Sequence, residues 1–547
     1  MRASFRSLLV LLAPVCTLGL RLPFVLSREA PYGMDPYIHL YYIKGWLRTS
    51  AWPLLADPDG LIRHDYNAWP GIHVLAASVS SLDIEPLRVL EWAPLVILFA
   101  LNLAIVLIVL RRTNLAIAVT TGVLLGLADY VFIQTQWYVP ELIGLLLVSA
   151  ILLNELNVGS RALSLLFLTT LLVTHHLSFL MGAMVWALVT PGPLDRRYFA
   201  FMAIMVVEVM VFWEFALRNT GSFPDIKDQL GGVPPAFLAA SIVVSLGALR
   251  WGLTHIYARY AEDQGEGTLL DLVSSRSPLG GRFTVIAGLV ALIVVTTAVY
   301  LSSLTRWDGI GIQPTKLLVL VGCVLFLAFV PAEPWNLRVL AAFSLVFLLF
   351  VLNPVVFDFI PLDVRFLEFL YLLGFVLLAS GAFWLLVRRP EWARAVVLAL
   401  VLVSAVLLID NSVRYASDES QRFVFTQEDI DFAEAVAIHT ESDAIIVPPF
   451  SLSSVIRGAS ERLTRTHPIR IALDEGGYGA AEASLVELRE HGPVYLVHSV
   501  NHLFYMETVD QPVSPEELGE LAISLPDISD RLELVLGQGG HVLYRFD

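Results

Sequence analysis

The sequence predicts a polytopic α-helical membrane protein with about 13 transmembrane helices, followed by a soluble α/β domain. Of the 547 residues, 56% are hydrophobic and 16% are charged, whereas ordinary soluble domains carry about 25% charged residues. Apolar stretches long enough for a membrane-spanning helix recur from the N-terminus to residue 410. Residues 411–547 are acidic instead, with 23 Asp and Glu against nine Arg and no Lys, a net charge of −14.

Thirteen apolar segments define the predicted membrane domain, residues 1–410. They lie near 7–26, 92–110, 114–133, 141–156, 162–174, 177–190, 198–217, 235–250, 283–303, 316–331, 338–357, 366–387 and 393–410. The fifth and sixth are short, and one long helix interrupted at His175–His176 is the alternative. Because Arg and Lys collect in cytoplasmic loops, thirteen spans with an inner N-terminus fit best. This topology predicts a multi-pass cell-membrane protein whose domain 411–547 is extracytoplasmic.

The first outer loop, residues 27–91, is the longest predicted outer connection before the C-terminal domain. Its Trp residues with interleaved Leu and Ile favour helices that lie along the membrane interface. The apolar run His73–Leu82 is too short to span and is predicted to be interfacial or re-entrant. The segment Ser7–Leu26 lacks a small-residue cleavage site, so we interpret it as an uncleaved first span.

The C-terminal domain alternates the patterns of helices and strands. The predicted elements are helices at Glu428–His439, Ser451–Ala459 and Ala480–Glu490, strands at Ala444–Val447 and Val494–Val497, and a hairpin of Leu532–Leu536 with His541–Phe546. The acidic charge argues against a nucleic-acid partner, which needs a basic face. Cys16 and Cys323 both lie in apolar stretches, so a disulfide framework or a Cys-based metal site is not predicted.

Ionisable residues at the predicted outer edge of the membrane are candidates for function. Asp35 follows the first span in a Gly-Met-Asp-Pro turn and can alternatively be a helix cap. Asp129 and Glu141 flank the connection between the third and fourth spans, where Glu141 also suits a helix N-terminus. Arg365 begins the twelfth span and can alternatively pair with Glu368. Together, such carboxylates can hold Mg²⁺ or Mn²⁺, and an arginine can bind phosphate.

His175 and His176 interrupt an apolar hairpin on the predicted outer side. Adjacent residues on a helix point about 100° apart, so the two side chains do not easily bind one metal ion. Two interpretations stay open for them. One is a buried, hydrogen-bonded pair, and the other is contact with a phosphate or an acceptor substrate.

Two short segments resemble the acidic motifs of the GT-C membrane glycosyltransferases. Gly33–Tyr37 (Gly-Met-Asp-Pro-Tyr), after one span and inside a long first outer loop, resembles the first motif. Tyr138–Glu141 (Tyr-Val-Pro-Glu) resembles the second, although the tight Asp-x-Asp or Asp-Asn-Glu cluster of the family is missing. The resemblance is to archaeal glycosyltransferases that use polyprenyl-phosphate sugars and, more distantly, to oligosaccharyltransferase catalytic subunits and protein O-mannosyltransferases. It implies a fold of GT-C type over the whole chain.

The resemblance implies an inverting membrane glycosyltransferase that moves a sugar from a polyprenyl-phosphate carrier to a glycan or protein acceptor on the outer face. Several members of the family work without a metal, so the resemblance allows a divalent cation, Mg²⁺ or Mn²⁺, and leaves open whether one is required. Combined with the residues above, the predicted site consists of Asp35 as the catalytic residue, Arg365, His175 and His176 for the donor phosphate, His39 and His73 for substrate, and Asp35, Asp129 and Glu141 for a metal ion.

Oligosaccharyltransferases carry a Trp-Trp-Asp-Tyr-Gly motif in their C-terminal domain, and residues 411–547 contain no Trp. This difference favours transfer of a single sugar, and the C-terminal domain is expected to bind the acceptor or to pack over the first outer loop. The competing hypothesis is a non-enzymatic transporter or flippase of lipid-linked sugars. Transporters tend to show internal repeats and charges near the bilayer midplane, which this sequence does not clearly show.

Overall fold

The computed structural model describes residues 8–31, 33, 35–49, 70–128, 131, 138–191, 196–219, 245–252, 255, 268, 330–352, 363–388, 391, 395, 398–399, 401–402, 405–406, 409, 425–465, 478–499 and 531–547. Within these ranges, the helices long and apolar enough to cross a bilayer are Pro86–Leu110, Pro140–Asn157 and Glu368–Val387, and six shorter apolar helices accompany them. Several predicted spans and the predicted domain boundary at residue 410 lie outside the described residues. The count of thirteen spans therefore stays a prediction.

The helices of the N-terminal three quarters follow the apolar segments. They are α1 (Leu12–Leu26), α2 (Asp35–Thr49), α3 (Gly71–Ser80), α4 (Pro86–Leu110), α5 (Leu115–Leu127), α6 (Pro140–Asn157), α7 (Arg161–Thr174), α8 (His176–Val189), α9 (Arg196–Asn219), α10 (Pro334–Leu352) and α11 (Asp363–Arg388). Pro86 and Pro140 open α4 and α6, where the missing N–H is not needed. Asn114 and Ser160 cap α5 and α7 by accepting backbone N–H groups, as short polar residues commonly do.

Helix α4 is the centre of the membrane part. It packs against α1, α5 and α6, and its Leu98, Ile105 and Ile108 are fully buried. Arg21 of α1 is also buried, and its Nη2 donates to the carbonyl oxygen of Gly126 at 2.6 Å. A cation at the C-terminal end of a helix is favourable, so this bond holds the end of α5 against α1.

The two short predicted spans are separate antiparallel helices. His175 lies between α7 and α8 in extended conformation, with φ −161° and ψ 120°. A Cβ added at Gly182 of α8 would lie 2.6 Å from Leu171 and 3.4 Å from Leu168 of α7. A single straight helix would hold such positions about 15 Å or more apart. The chain therefore reverses at His175, and the alternative of one long interrupted helix is wrong.

The described part of the predicted first outer loop contains helices α2 and α3 and the first residues of α4, which begins at Pro86. Helix α3 covers the apolar run that is too short to span the membrane. It buries one face through Ile72, Ala76 and Ala77, while Val74 and Leu75 on the other face are exposed. Exposed aliphatic side chains on one face of a short helix are typical of a segment at the membrane interface.

The described residues of the C-terminal part form a five-stranded mixed sheet with three helices. Its elements are α12 (Gln427–His439), β1 (Ile445–Val447), α13 (Phe450–Ser460), β2 (Leu463–Thr464), α14 (Tyr478–Arg489), β3 (Val494–Ser499), β4 (Leu532–Gln538) and β5 (His541–Phe546). The strand order is β2-β1-β3-β5-β4. Strands β2, β1 and β3 are parallel, whereas β5 and β4 are antiparallel to their neighbours. The predicted terminal hairpin is β4 and β5, joined by Gly539 and Gly540 with φ of +57° and +79°.

The alternation of side chains along these strands gives the sheet two buried faces. Ile446 and Val497 belong to the main core, which is continuous with that of the membrane part through α12 and α13. Ile445 and Val494 point to the opposite face and form a smaller core with Leu485 of α14. Helices α12 and α13 therefore join the C-terminal sheet to the helices of the membrane part.

Candidate active site

Asp35 occupies the first position of α2, directly after the turn that follows α1. Gly33 has φ of +89°, a conformation that glycine adopts without steric cost, so it permits this turn. The Asp35 side chain is half-buried, and a carboxylate in the first turn interacts favourably with the helix dipole. This position is compatible with both interpretations of Asp35, as a structural helix cap and as a catalytic carboxylate.

His39 and His73 form a buried pair between α2 and α3. His39 Nδ1 lies 2.9 Å from His73 Nε2, and the two residues are 0% and 2% exposed. One ring must therefore donate and the other accept, which requires at least one neutral imidazole. Burial lowers the pKa of His39 to about 4, although the Glu141 carboxylate opposes the shift. Burial and the neighbouring His39 also hold the pKa of His73 well below its usual range.

Glu141 lies in the first turn of α6 and is 4% exposed. Its Oε1 is 3.5 Å from His175 Nε2. His175 Nδ1 in turn lies 2.8 Å from the Ser178 hydroxyl and accepts from the Ser178 backbone N–H at 3.3 Å. His175 therefore caps α8 with one ring nitrogen and faces the glutamate with the other. His175 is thus buried and hydrogen-bonded, and the predicted contact of His175 and His176 with a phosphate or an acceptor stays a prediction.

Helix α2 places Asp35 close to the buried histidine pair. Asp35 and His39 are four residues apart on α2, so they lie one turn apart on the same face. Glu141 is close enough to His39 to affect its pKa, and the Tyr138 hydroxyl donates to the Ile72 carbonyl of α3 at 2.9 Å. The starts of α2, α3, α6 and α8 thus meet in one buried polar cluster, and Asp35 lies one turn before His39 on α2.

Two glycines allow the helices of this cluster to approach closely. A Cβ at Gly71, the first residue of α3, would lie 2.6 Å from Thr174 Oγ1 and 3.0 Å from the Val173 carbonyl oxygen. A Cβ added at Gly144 of α6 would overlap the Ser178 side chain. Any larger residue at either position would push α3 or α6 away from the α7–α8 turn, and with them the residues of the cluster.

The structure describes the other predicted site residues less fully. Asp129 lies outside the described residues. Arg365 is in the first turn of α11 and His176 is the first residue of α8, and only their backbone positions are described. Donor binding by Arg365, His175 and His176, and substrate binding by His39 and His73, stay predictions.

The metal set of Asp35, Asp129 and Glu141 also stays a prediction. Within the described ranges, no three His, Cys, Asp or Glu side chains come together as a metal site. The carboxylate of Glu141 and the ring of His175 are an oxygen–nitrogen pair that could supply two ligands. The described residues do not by themselves complete a cation site.

Ser178 and Gly71 were not recognised from the sequence. The His-x-x-Ser spacing of 175 and 178 is a signal that could have indicated the first, because an N-cap side chain commonly bonds to the third residue of its helix. No local pattern indicates Gly71, because its role depends on Thr174, more than 100 residues further along the chain.

Solved structures identify the fold. The chain is similar to the oligosaccharyltransferase of Archaeoglobus fulgidus in complex with Zn and sulfate, with a TM-score of 0.54 at 12% identity over 89% of this chain and 67% of that one. The same protein, tethered to an acceptor peptide containing an NVT sequon, gives a TM-score of 0.55 at 11% identity over 98% and 74%. The arabinofuranosyltransferase AftD from mycobacteria gives a TM-score of 0.46 at 13% identity over 97% and 40%.

The likeness to the oligosaccharyltransferase extends over nearly the whole chain and shows that the fold is of GT-C type. The prediction of that fold is confirmed. No protein-family model matches the sequence, and no curated protein sequence matches it significantly. Identities near 12% show the fold alone, so activity must be argued from the site.

Proposed function

We propose that this protein is a membrane glycosyltransferase that transfers one sugar from a polyprenyl-phosphate carrier to a glycan or protein acceptor on the outer face of the membrane. The observation that carries the proposal is the placement of Asp35. Within a GT-C fold, it is a half-buried carboxylate at the start of α2, one turn before His39, which belongs to the buried polar cluster with Glu141. A carboxylate fixed at the edge of an apolar helix bundle is well placed to meet a lipid-linked donor and a water-soluble acceptor.

In the proposed reaction, Asp35 acts as the general base. It accepts the proton of the acceptor hydroxyl, for which it must come within about 2.6–3.2 Å of that oxygen. The hydroxyl oxygen attacks the anomeric carbon from the side opposite the phosphate. The bond between that carbon and the phosphate oxygen breaks, so the configuration inverts and polyprenyl phosphate leaves. Arg365 stabilises the charge that develops on the leaving phosphate, since a guanidinium matches phosphate oxygens.

The buried cluster has a supporting role in this proposal. The His39–His73 bond ties α2 to α3, and the Glu141–His175 contact ties α6 to the α7–α8 turn. A catalytic group must be held within about 0.5 Å of its productive position by neighbours that are themselves fixed. These contacts provide such a shell for the start of α2.

The test is a transfer assay in which the purified full-length protein is incubated with a panel of radiolabelled polyprenyl-phosphate sugars and with glycan and protein acceptors. The wild-type protein should convert at least one donor into an aqueous glycoside and free polyprenyl phosphate. Asp35→Asn should lower the rate by about 10²–10⁴-fold, because the amide keeps the shape of the side chain but cannot accept a proton. The melting temperature should be nearly unchanged, since Asn suits a helix start about as well as Asp.

Asp83→Asn is the matched control. Asp83 is an exposed residue of the same predicted loop with φ of +68°, a conformation that Asn tolerates, so its transfer rate should equal that of the wild type. Near-normal transfer by Asp35→Asn would show that Asp35 is only a structural helix end. Movement of intact donor across vesicle membranes without cleavage would favour the transporter hypothesis instead.

A further inference from the structure

Helix α2 is packed on two sides. On one side, His39 and Tyr42 lie against His73 of α3. On the other side, Tyr37, Lys44 and Arg48 face helix α13 of the C-terminal sheet. These three positions follow one another at seven and four residues, a spacing that places them on one face of a helix. The helix that carries Asp35 is therefore held between the membrane part and the C-terminal part.

Helices α2 and α13 approach each other closely at Gly458. A Cβ added there would overlap the carbonyl oxygen of Tyr37 and lie 3.1 and 3.2 Å from the Tyr37 carbonyl carbon and Cα. The opposing atoms are backbone, so a larger side chain fits only if one helix moves. Tyr37 itself is fully buried and its ring meets that of Phe425 edge to face at 5.2 Å. Because Tyr37 stands two residues after Asp35, a shift at this contact moves the first turn of α2.

Two charged residues of α2 extend the contact along α13. Lys44, one of only three lysines in the chain, donates to the Ala459 carbonyl oxygen at 3.1 Å. Ala459 is near the C-terminal end of α13, where a cation interacts favourably with the last carbonyl groups and with the helix dipole. Arg48 pairs with Glu461, which ends α13 in a left-handed conformation with φ of +56°. Glycine is the usual residue at such a position, and the glutamate instead reaches α2.

We propose that α13 is the support that positions Asp35, and that Gly458 is a positioning residue for the transfer reaction. The C-terminal domain is then an integral part of the active site and not a separable acceptor-binding module. This inference rests on the proposed function, because Asp35 is the residue whose position matters. Its physical basis is the backbone contact at Gly458, which leaves no space between the two helices.

The test uses the full-length protein with Gly458→Val, and Gly537→Val as the matched control. Both glycines belong to the C-terminal domain, but a Cβ added at Gly537 has no heavy atom within 4 Å. Gly458→Val should lower kcat by about 10²-fold, since misplacement of a catalytic group by about 1 Å can cost that much. The donor KM should change by less than about twofold, because donor contacts are retained. Gly537→Val should match the wild type.

Hydrogen–deuterium exchange shows whether the domain itself stays folded. In Gly458→Val, amides of α2 should exchange faster, while those of α13 and β3 keep their protection. Lys44→Met, which leaves the α13 backbone unchanged, should shift α2 exchange in the same direction but less. Unchanged kcat, or unchanged exchange in α2, would overturn the inference. If the wild-type protein transfers no sugar at all, the proposed function fails, and the exchange of α2 still decides whether α13 supports that helix.

Discussion

At the residue scale, the candidate site depends on polar side chains that are buried in pairs. His39 with His73 and Glu141 with His175 each join two helices near the start of α2 or α6. A buried polar group without its partner costs about 1–3 kcal/mol. Both pairs therefore restrict how the helices can be arranged around Asp35.

The buried histidine pair predicts a pH dependence of stability. Burial lowers the pKa of His39 from 6.5 to about 4, so the unfolded chain binds more protons than the folded one between these values. The contribution of His39 to the free energy of unfolding is therefore fully present above pH 6.5. It is lost as the pH drops toward 4, by on the order of 3 kcal/mol. The melting temperature of the full-length protein should decrease across that window.

His39→Gln should weaken this pH dependence, because the titrating group at that position is gone. His439→Gln is the control, since His439 lies exposed on α12. Its melting temperature should change with pH as that of the wild type does. If the melting temperatures of His39→Gln and the wild type fell equally between pH 6.5 and pH 4, other groups would control the stability in acid.

Glu141 distinguishes a cation ligand from a purely structural partner of His175. If it holds a cation, chelation should reduce transfer by the wild-type protein, and added Mn²⁺ should restore it. Glu141→Gln should then need about 10–100-fold more Mn²⁺, because the amide is a weaker ligand of similar shape. The transfer rate is measured against free Mn²⁺, with the exposed Glu85→Gln as the control. Transfer that is insensitive to chelation would count against a cation.

At the element scale, helix α12 begins in a set of bonds that also holds the terminal hairpin. Asp429 Oδ2 accepts from the Thr426 backbone N–H at 2.7 Å, which completes a capping box. Its Oδ1 lies 2.9 Å from His541 Nε2, and His541 Nδ1 lies 3.0 Å from the Ser499 hydroxyl. Asp429 and His541 are 4% and 3% exposed and Ser499 is fully buried, so this is a structural network.

Asp429→Ala should destabilise the C-terminal part by about 3 kcal/mol. The substitution removes the bond that the Asp429 carboxylate accepts from the Thr426 N–H in the capping box, worth about 1 kcal/mol, and leaves a buried imidazole nitrogen without its partner. Asp431→Ala, at an exposed position of the same helix, should cost much less. The two losses of stability can be measured from the urea concentration at which a protease begins to cleave the full-length protein. Equal effects of the two substitutions would contradict a special role of the Asp429 network.

At the scale of the whole molecule, the described helices and the C-terminal sheet form one continuous core. The sheet packs on α2 through α13, and α2 in turn packs on α3 and α4. The proposed orientation places this sheet outside the cell, because the arginine-rich loops are predicted to be inside. Donor and acceptor would then meet between the membrane and the sheet.

This orientation predicts the result of protease treatment of intact spheroplasts. Protease added outside should release an acidic fragment that corresponds closely to residues 411–547, detected with an antibody against the C-terminus. Lysed spheroplasts treated in the same way are the control for cleavage. Protection of the fragment until lysis would show that the C-terminal part is cytoplasmic and that the predicted span count is wrong.

The sequence predicted the helix-forming segments well, because each depends on a local pattern. The fourth to seventh predicted spans begin and end within two residues of α6, α7, α8 and α9. Their predicted ends follow from apolar length and from residues such as Pro140 and Ser160 that favour helix starts. The histidines were recognised as unusual polar residues in apolar surroundings. Their partners were not predicted, since pairing depends on helix contacts between segments 34 residues apart, as for His39 and His73.

By itself the sequence determined the class of protein: an apolar helical chain with acidic motifs that resemble those of GT-C enzymes and an acidic C-terminus. Composition, periodicity and short motifs are local, so they can be read without a structure. Only the tertiary structure decided that the site rests on buried pairs such as Glu141 with His175, and that Gly458 lies against the turn carrying Asp35. Those contacts join residues distant in the chain, and their geometry follows from how whole helices pack.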